Sequence, residues 1–432
     1  MRSAEIIAAG AISSLPAPLV ELLTRLQAEG YAAYLVGGCV RDWLRGKPVR
    51  DFDVATDATP AAVLELFPRA VPIGLRHGTV MVPLTCGPVD VTRFRRGENI
   101  ERDLAHRDFT VNAMALDTGS GKLLDPFGGA NDLAAGVLRS VGSADARFAE
   151  DPLRALRAAR LLSELGYELD AALEPAIAKT RTAVAGVAPE RIRHELERLL
   201  LGPHASEALL LLFRTGFAQQ FAPGCRSDAP QLLPHLPRDL CLRLAAWLRG
   251  TSAAAVLSQL RFPRRVRESV EQLLRLHPVE RQANPQQLLS VRRLLKRAGV
   301  DGTEALFALR HAEQAAGCEG ENAEAAHRLR ELHAALEHVR QNERLVLERR
   351  DLALNGRAVM EILGCGPGLQ VGHALHYLSE CVLADSSRNQ AETLRELLLH
   401  WRETQPHEFP QNTGRGYLPR IDTRVERDPD RT

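Results

Sequence analysis

The chain has 432 residues, of which 45% are hydrophobic and 25% charged, and a formal net charge of +1 at pH 7. That length exceeds what one core supports, so two to four folding units are expected, and the balance is that of a soluble globular protein. The near-neutral charge excludes a global basic footprint, so any contact with nucleic acid must come from local clustering of arginine.

The seven cysteines are scattered and odd in number, without a C-x-x-C pair. This pattern favours free thiols in a reducing, cytoplasmic compartment over disulfides or zinc. The N-terminus has no charged-then-apolar signal pattern, and no apolar run reaches the length of a membrane span. Aromatics are only 5%, while Leu, Ala, Arg and Glu dominate, which favours helix over sheet for most of the chain.

Residues 1–30 read as an N-terminal extension. From 31 to about 125 short β-rich runs alternate with Gly and Pro. The predicted strands are Ala33–Val36, residues 52–55, Thr79–Leu84 and residues 89–94, the last two flanking a turn at Thr85-Cys86-Gly87-Pro88. Helical stretches at residues 40–44 and 60–67 fall between them. This is an α/β or α+β head, taken to residue 145.

Beyond residue 147 the pattern is helical. Leu153, Leu156, Leu161, Leu162 and Leu165 keep a helical period, and Gly166 serves as a C-cap. Further helices are predicted at residues 192–201, 207–213, 239–248 and 323–348. No repeat of fixed period is present, which argues against a solenoid. Residues 146–205 read as a neck, 206–345 as a body and 346–402 as a tail. Residues 403–432 are poor in apolar side chains and are expected to be disordered.

The first chemical signal is Gly37-Gly38, between the apolar run Tyr34-Leu35-Val36 and the helical stretch Cys39 to Leu44. Glycines there let backbone N–H groups approach a phosphate at a helix N-terminus, with Arg41 one turn on and able to reach a triphosphate oxygen. Asp51-Phe52-Asp53 opens the next strand. Alternation puts both carboxylates on one side, where they can hold a pair of Mg²⁺ ions, and Asp90 from Val89-Asp90-Val91 is the candidate third carboxylate. Each feature also has a bland reading. A glycine pair before a helix is common, and D-x-D is often a solvated strand edge.

In order, however, these residues carry a resemblance. Leu35-Val36-Gly37-Gly38-Cys39-Val40-Arg41-Asp42 with Arg50-Asp51-Phe52-Asp53 resembles the head of class II tRNA nucleotidyltransferases and bacterial poly(A) polymerases. Arg107-Asp108-Phe109-Thr110-Val111-Asn112-Ala113 resembles their second motif, and Asp125-Pro126-Phe127-Gly128-Gly129 with Asp132-Leu133 the third. Glu150-Asp151-Pro152-Leu153-Arg154 resembles the fourth, and Glu190-Arg191 with Glu195 the fifth. Residues 352–375, with Asn355-Gly356 and Gly366-Pro367-Gly368, resemble the family's tail, whereas 205–345 carries no usable motif.

The resemblance implies an α+β fold. A polymerase-β-like head with a small mixed sheet is followed by an elongated all-helical neck, body and tail. It implies an RNA nucleotidyltransferase that uses two Mg²⁺ ions, with tRNA and CTP as partners, ATP as a further nucleotide, and neither membrane nor DNA. Asp51, Asp53 and Asp90 are then the catalytic set, Asp51 and Asp53 the metal ligands. Gly37, Gly38, Arg41, Arg107, Asp151, Arg154, Arg157 and Arg160 bind nucleotide, supported by Glu150 and Asn112.

The fourth motif has a physical logic. Cytosine offers an amino donor at N4 beside acceptors at N3 and O2, which an Asp and an Arg can pair. Asp151 and Arg154, three apart, are expected to share a helix face, and Glu150 to orient Arg154. Adenine also offers an amino donor beside a ring acceptor, whereas uracil and guanine leave buried groups unpaired. The bland reading of Asp151-Pro152 is an N-cap followed by N1, and the arginine row can be a solvated helix face. Glu190-Arg191 is expected to brace the fourth-motif helix, and Asp125 to Gly129 to form the turn from head to neck. The family usually has two arginines before the Asp of its second motif, and here His106 replaces the first.

A second departure concerns product length. Only Arg96-Gly97-Glu98-Asn99-Ile100 separates the strand ending near Arg95 from Glu101. Family members with a longer loop there build the whole C-C-A end, and those with the short form add two C residues. The expectation is a CC-adding enzyme, with full CCA addition next and A-adding or poly(A) activity third. A catalytically dead RNA-binding protein and a small-molecule nucleotidyltransferase are the competing classes.

Overall fold

The structure, a computed structural model, describes residues 15–49, 51–74, 78–95, 99–318, 323–342 and 349–404. It divides into two compact units, residues 1–282 with 300–330, and 283–299 with 331–432.

The first unit begins with helix α1 (Ala17–Ala28), whose Leu19, Leu22, Leu23 and Leu26 recur at helical spacing and are fully buried. The sequence reading placed this segment in an N-terminal extension. Its leucines instead join the head core with Leu35, Val54, Val80 and Val91. The head continues through β1 (Ala33–Val36), α2 (Gly38–Leu44), β2 (Phe52–Thr56), α3 (Pro60–Leu66), β3 (Val71–Gly74), β4 (Thr79–Leu84) and β5 (Gly87–Arg93). Next come α4 (Ile100–Ala105) and the short β6 (Ala115–Leu116) and β7 (Leu123–Leu124). The seven strands form one mixed sheet in the order β3-β4-β5-β2-β1-β6-β7. Gly87 and Pro88, read as turn residues, already belong to β5, where Gly87 pairs with Leu84 and Pro88 with Pro83.

Strand alternation sorts the sheet's two faces. Phe52 and Val54 on β2, with Val89 and Val91 on β5, fill the core beneath α1. Ala55 faces the other way, in a second cluster with Val36, Phe94, Ile100, Leu104 and Ala115. Asp53 and Asp90 occupy the same parity as Ala55, so both side chains leave the sheet on the α4 side.

The chain then forms α5 (Gly129–Ala135), β8 (Val137–Leu138), α6 (Ala144–Glu150), α7 (Leu153–Leu165), β9 (Glu168–Leu169), α8 (Leu173–Thr180) and α9 (Pro189–Leu201). Helix α7 is buried on nearly every side, packed against α9 and the following helix Ala205–Arg214. Residues 283–299, read as part of the body, group with the second unit, while 300–330 stay with the first. The second unit has its own core of Leu352, Leu354, Val359, Leu378, Leu394, Leu398 and Trp401. Among the described residues no helix is long and apolar enough to cross a membrane. Residues 1–14 of the extension, the connection at Arg96 to Glu98, the end of the helix expected at 323–348, and nearly all of the C-terminal tail lie outside the described residues.

Candidate active site

The glycine pair begins the site. Gly37 has φ +78° and caps α2, and its N–H donates to the Met114 carbonyl at 3.3 Å. A Cβ there would lie 2.8 Å from Arg107 Nη1 and 3.6 Å from Asp53 Oδ2, so a side chain is excluded by both conformation and contact. Gly38 is looser, its nearest neighbour being Arg41 Nη2 at 3.7 Å.

Asp53 on β2 pairs in parallel register with Asp90 on β5, and Asp51 lies just before β2. The three carboxylates sense one another. Desolvation raises the pKa of Asp53 first, Arg107 opposes the rise, and Asp90 and Asp51 add to it. Asp90 is likewise raised, by desolvation and then by Asp51. The Asp53 side chain is water-accessible, so its desolvation comes from the walls of a cleft around it. Among the described residues no three acidic, His or Cys groups are already arranged as a metal cluster. The donor chemistry nonetheless suits a hard divalent cation: carboxylate oxygens on neighbouring strands, with Asp53 and Asp90 disfavoured as anions by burial and then by neighbouring charge.

Arg107 forms the opposite wall. Its Nη2 donates to Asp103 at 3.4 Å, and its buried Nε has no partner among the described residues. Asp103 is buried on α4 and also accepts from the Arg95 N–H. The His106 carbonyl accepts from both Arg95 Nη1 and Arg154 Nη2, each at 2.9 Å. Three guanidiniums therefore gather here. The pKa of Arg95 is lowered by desolvation first, then by Arg154, with Arg107 adding to the effect.

Arg41 is buried and committed elsewhere. It forks onto Asp42 and donates to Asn112 Oδ1 at 2.8 Å. Asn112 in turn donates to Asp108. Asp108 is tied to Arg157 at 2.9 Å, and Arg157 to Glu195 at 3.3 Å. Arg160 completes the row on Glu195 at 2.6 Å and on Glu164. Arg157 and Arg160 are thus engaged with carboxylates and do not form a solvated face.

Asp151 and Arg154 do not share a helix face. Asp151 is the extended residue between α6 and α7, with φ −147° and ψ 102°, because the residue before a proline is driven out of the helical region. Its Oδ1 accepts from the Leu153 N–H at 3.1 Å, and its Oδ2 pairs with Arg191 at 2.8 Å. Arg154 lies on α7 and is oriented by Glu150 at 2.9 Å. In the third motif the Asp125 carboxylate accepts from the Gly129 and Ala130 N–H groups. A Cβ at Gly129 would meet the Thr110 carbonyl oxygen at 2.2 Å, so close approach to the second motif requires glycine. The sequence reading did not single out Asp103 or Arg95. Their signal is indirect, since they lie on either side of the short connection after β5.

Residues 33–139 match the poly A polymerase head domain. Residues 166–228 match the RNA- and SrmB-binding segment described for polymerase A, and 240–398 the tRNA nucleotidyltransferase domain 2. A CCA-adding enzyme of Geobacillus sp. strain WCH70 is 34% identical over 405 residues, covering 88% of this chain and 95% of that protein. The chain belongs to the CCA-adding tRNA nucleotidyltransferase family. The Bacillus stearothermophilus CCA-adding enzyme, crystallised with CTP, has a TM-score of 0.70 at 29% identity, over 90% of this chain and 99% of that one. A CC-adding tRNA nucleotidyltransferase of Shouchella clausii is 43% identical over 216 residues, covering 50% of this chain and 56% of the relative. The resemblance seen in the motifs is borne out, and with it the nucleotidyltransferase head on a helical body.

Proposed function

We propose that this family member extends the 3′ end of tRNA with C residues from CTP, and that it stops after two. The observation that carries the catalytic part is the facing of Asp53 and Asp90 across adjacent parallel strands, with Asp51 beside them and Arg107 opposite. Asp51 and Asp53 hold Mg²⁺ in this reading, and Asp90 completes the carboxylate set. Two bound Mg²⁺ ions supply activation of the attacking 3′-hydroxyl and neutralisation of the triphosphate.

The protein's own groups do the positioning. Gly37 and Gly38 bring backbone N–H groups close to phosphate at the start of α2. Arg107, with an unpaired Nε beside Asp53, contacts the phosphates or sugar. Asp151 accepts from the cytosine amino group, while Arg154, braced by Glu150, donates to N3 or O2. Arg157 and Arg160 support the base-reading helix, and Arg41 and Asn112 stiffen the turn under the glycines.

Arrest after two additions is argued from the short Arg96 to Ile100 connection. Ile100 already belongs to α4, and the six residues between Arg93 at the end of β5 and Ile100 leave little slack to reshape the pocket for adenine. Full CCA addition is the second reading, supported by relatives of that name covering most of the chain at 34% and 32% identity. Incubation of the protein with tRNA lacking its C-C-A end, Mg²⁺ and each single nucleotide separates these readings from a poly(A) polymerase or a silent RNA binder. With CTP and ATP together, extension by two is expected. Efficient addition of a third nucleotide, A, promotes the second reading.

A further inference from the structure

Arg107 is the least tethered arginine of the site. Among the described residues, Arg154 is held by Glu150 and by the Arg147 and His106 carbonyls, and Arg157 by Asp108 and Glu195. Arg107 has one carboxylate, Asp103, and a buried Nε without a partner. Its placement nonetheless bears directly on the catalytic carboxylates. Its Nη1 is 2.8 Å from where a Cβ on Gly37 would lie, and its charge opposes the pKa rise at Asp53.

The group that holds it is a charge on an apolar helix face. Helix α4 turns Ile100, Asp103 and Leu104 inward at the i, i+3, i+4 spacing, and all three are buried, while Glu101 and Arg102 are exposed. Ile100 and Leu104 fill the cluster on that side of the sheet. A carboxylate in the same row costs desolvation that an apolar side chain would not, so helix packing gives no reason for Asp103. Its two oxygens have separate tasks. Oδ1 accepts from the Arg95 N–H at 3.2 Å, which ties the carboxylate to the chain just past β5. Oδ2 faces Arg107 Nη2 at 3.4 Å. That contact is longer than the roughly 2.7–2.9 Å of a settled charge-assisted pair, so it directs the guanidinium without using it up.

We propose that Asp103 is a positioning residue for nucleotide binding, holding the Arg107 guanidinium beside the Gly37 turn with its remaining N–H groups available to the phosphates of the incoming nucleotide. The proposal rests on the assignment of Arg107 to the nucleotide and narrows it to the phosphates. A guanidinium has five N–H donors and Asp103 takes one, so charge-assisted bonds to phosphate oxygens stay open. Without the Asp103 charge, Arg107 is drawn toward Asp53, whose charge it already senses, and the phosphates lose their partner.

The test is steady-state incorporation of CTP onto tRNA lacking its C-C-A end, with inhibition by inorganic pyrophosphate, for the wild type, Asp103→Asn, Asp103→Glu, Arg107→Ala and the Asp103→Asn/Arg107→Ala double variant. Asp103→Asn keeps the shape and an acceptor for the Arg95 N–H but removes the charge that faces Arg107. It should raise KM for CTP and Ki for pyrophosphate by about tenfold each, the scale of one oriented charged hydrogen bond, and leave KM for tRNA within about twofold. Asp103→Glu, which restores the charge one methylene further out, should recover part of both, and in the Arg107→Ala background Asp103→Asn should add nothing. If Arg107→Ala leaves KM for CTP and Ki for pyrophosphate unchanged, the phosphate assignment of Arg107 falls and the proposal with it. If Arg107→Ala weakens both and Asp103→Asn neither, that assignment stands and the positioning role is overturned. An Asp103→Asn effect that extends equally to tRNA, or persists at full size without Arg107, overturns it too, in favour of a plain brace for α4. Should Asp103→Asn fold poorly, Asp103→Ser, which is smaller and keeps an acceptor for the Arg95 N–H, carries the same comparison.

Discussion

Asp108 offers a quantitative test of how the head is locked to helix α7. Its carboxylate is buried and accepts from Arg157 Nη1 and the Phe109 N–H at 2.9 Å each, and from Asn112 Nδ2 at 3.4 Å. Burial works against its charge, but Arg157 and these hydrogen bonds outweigh it and hold the pKa at about 2, below the ordinary 3.8. A difference near two units corresponds to roughly 2–3 kcal/mol of preference for the charged form. Asp108→Asn keeps the shape but turns an amide donor toward the Arg157 guanidinium, which retains Glu195. The cost should therefore fall at the low end of the range for breaking a buried pair, about 3 kcal/mol. For a unit of about 300 residues the unfolding entropy makes that a fall in Tm of about 4–5 °C. The pH dependence has a definite sign. The folded pKa is lower than the unfolded one, so the contribution is complete above about pH 5 and is lost as pH falls toward 2. Thermal melts followed by circular dichroism at pH 7 and pH 3 should show the advantage of the wild type over Asp108→Asn narrowing at the lower pH. A variant melting within 1 °C of wild type at pH 7, or a gap as wide at pH 3 as at pH 7, would refute the lock.

Three further outcomes are expected. Asp53→Ala should cut kcat by roughly a hundredfold or more, the scale of losing one preorganised charged group, while tRNA binding in a filter assay survives; near-normal turnover with Mg²⁺ would sink the carboxylate assignment. Gly37→Ala should lower stability by about 1–3 kcal/mol, because the new Cβ combines positive φ with a 2.8 Å approach to Arg107, whereas Gly38→Ala meets only ordinary contacts; equal melting temperatures for the two would contradict this. Removal of the chain after residue 345 takes away most of the second core and should weaken tRNA binding more than CTP binding, with the remaining affinity falling as salt rises; unchanged tRNA affinity would take the tail out of the RNA site.

Much of this was legible in the sequence because short-range physics wrote it there. Alternation in Asp51-Phe52-Asp53 and Val89-Asp90-Val91 already put the acidic residues opposite the valines, and the register then brought Asp53 beside Asp90. Helix α1 was missed because its four leucines find their partners on strands that come later in the chain. Asp103 lies in Ile-Glu-Arg-Asp-Leu-Ala, which reads as a solvated turn of helix until packing buries one of its charges. Arg41 looked free to reach a phosphate because the sequence shows the nearby glycines but not Asn112, which closes on it from 71 residues away. The separation of Asp151 from the face of Arg154 was, by contrast, open to local reasoning. Pro152 excludes the helical conformation at the residue before it, and a three-residue spacing means little across such a break.

The same comparison explains how a chain of net charge +1 can handle a polyanion. The balance is global, and the separation is local. Burial, and then the neighbouring carboxylates, make Asp53 and Asp90 harder to ionise, while burial, and then Arg154 and Arg107, make Arg95 easier to deprotonate. Folding relieves each set only in part, through Asp103 and Glu150 for the guanidiniums and through Arg107 for Asp53. Under the proposed reading, a nucleoside triphosphate with its divalent cations brings cations to the carboxylates and phosphate oxygens to the guanidiniums at once. The electrostatic cost stored in the free protein is then part of the affinity for that complex, and binding of either half by itself should be the weaker event.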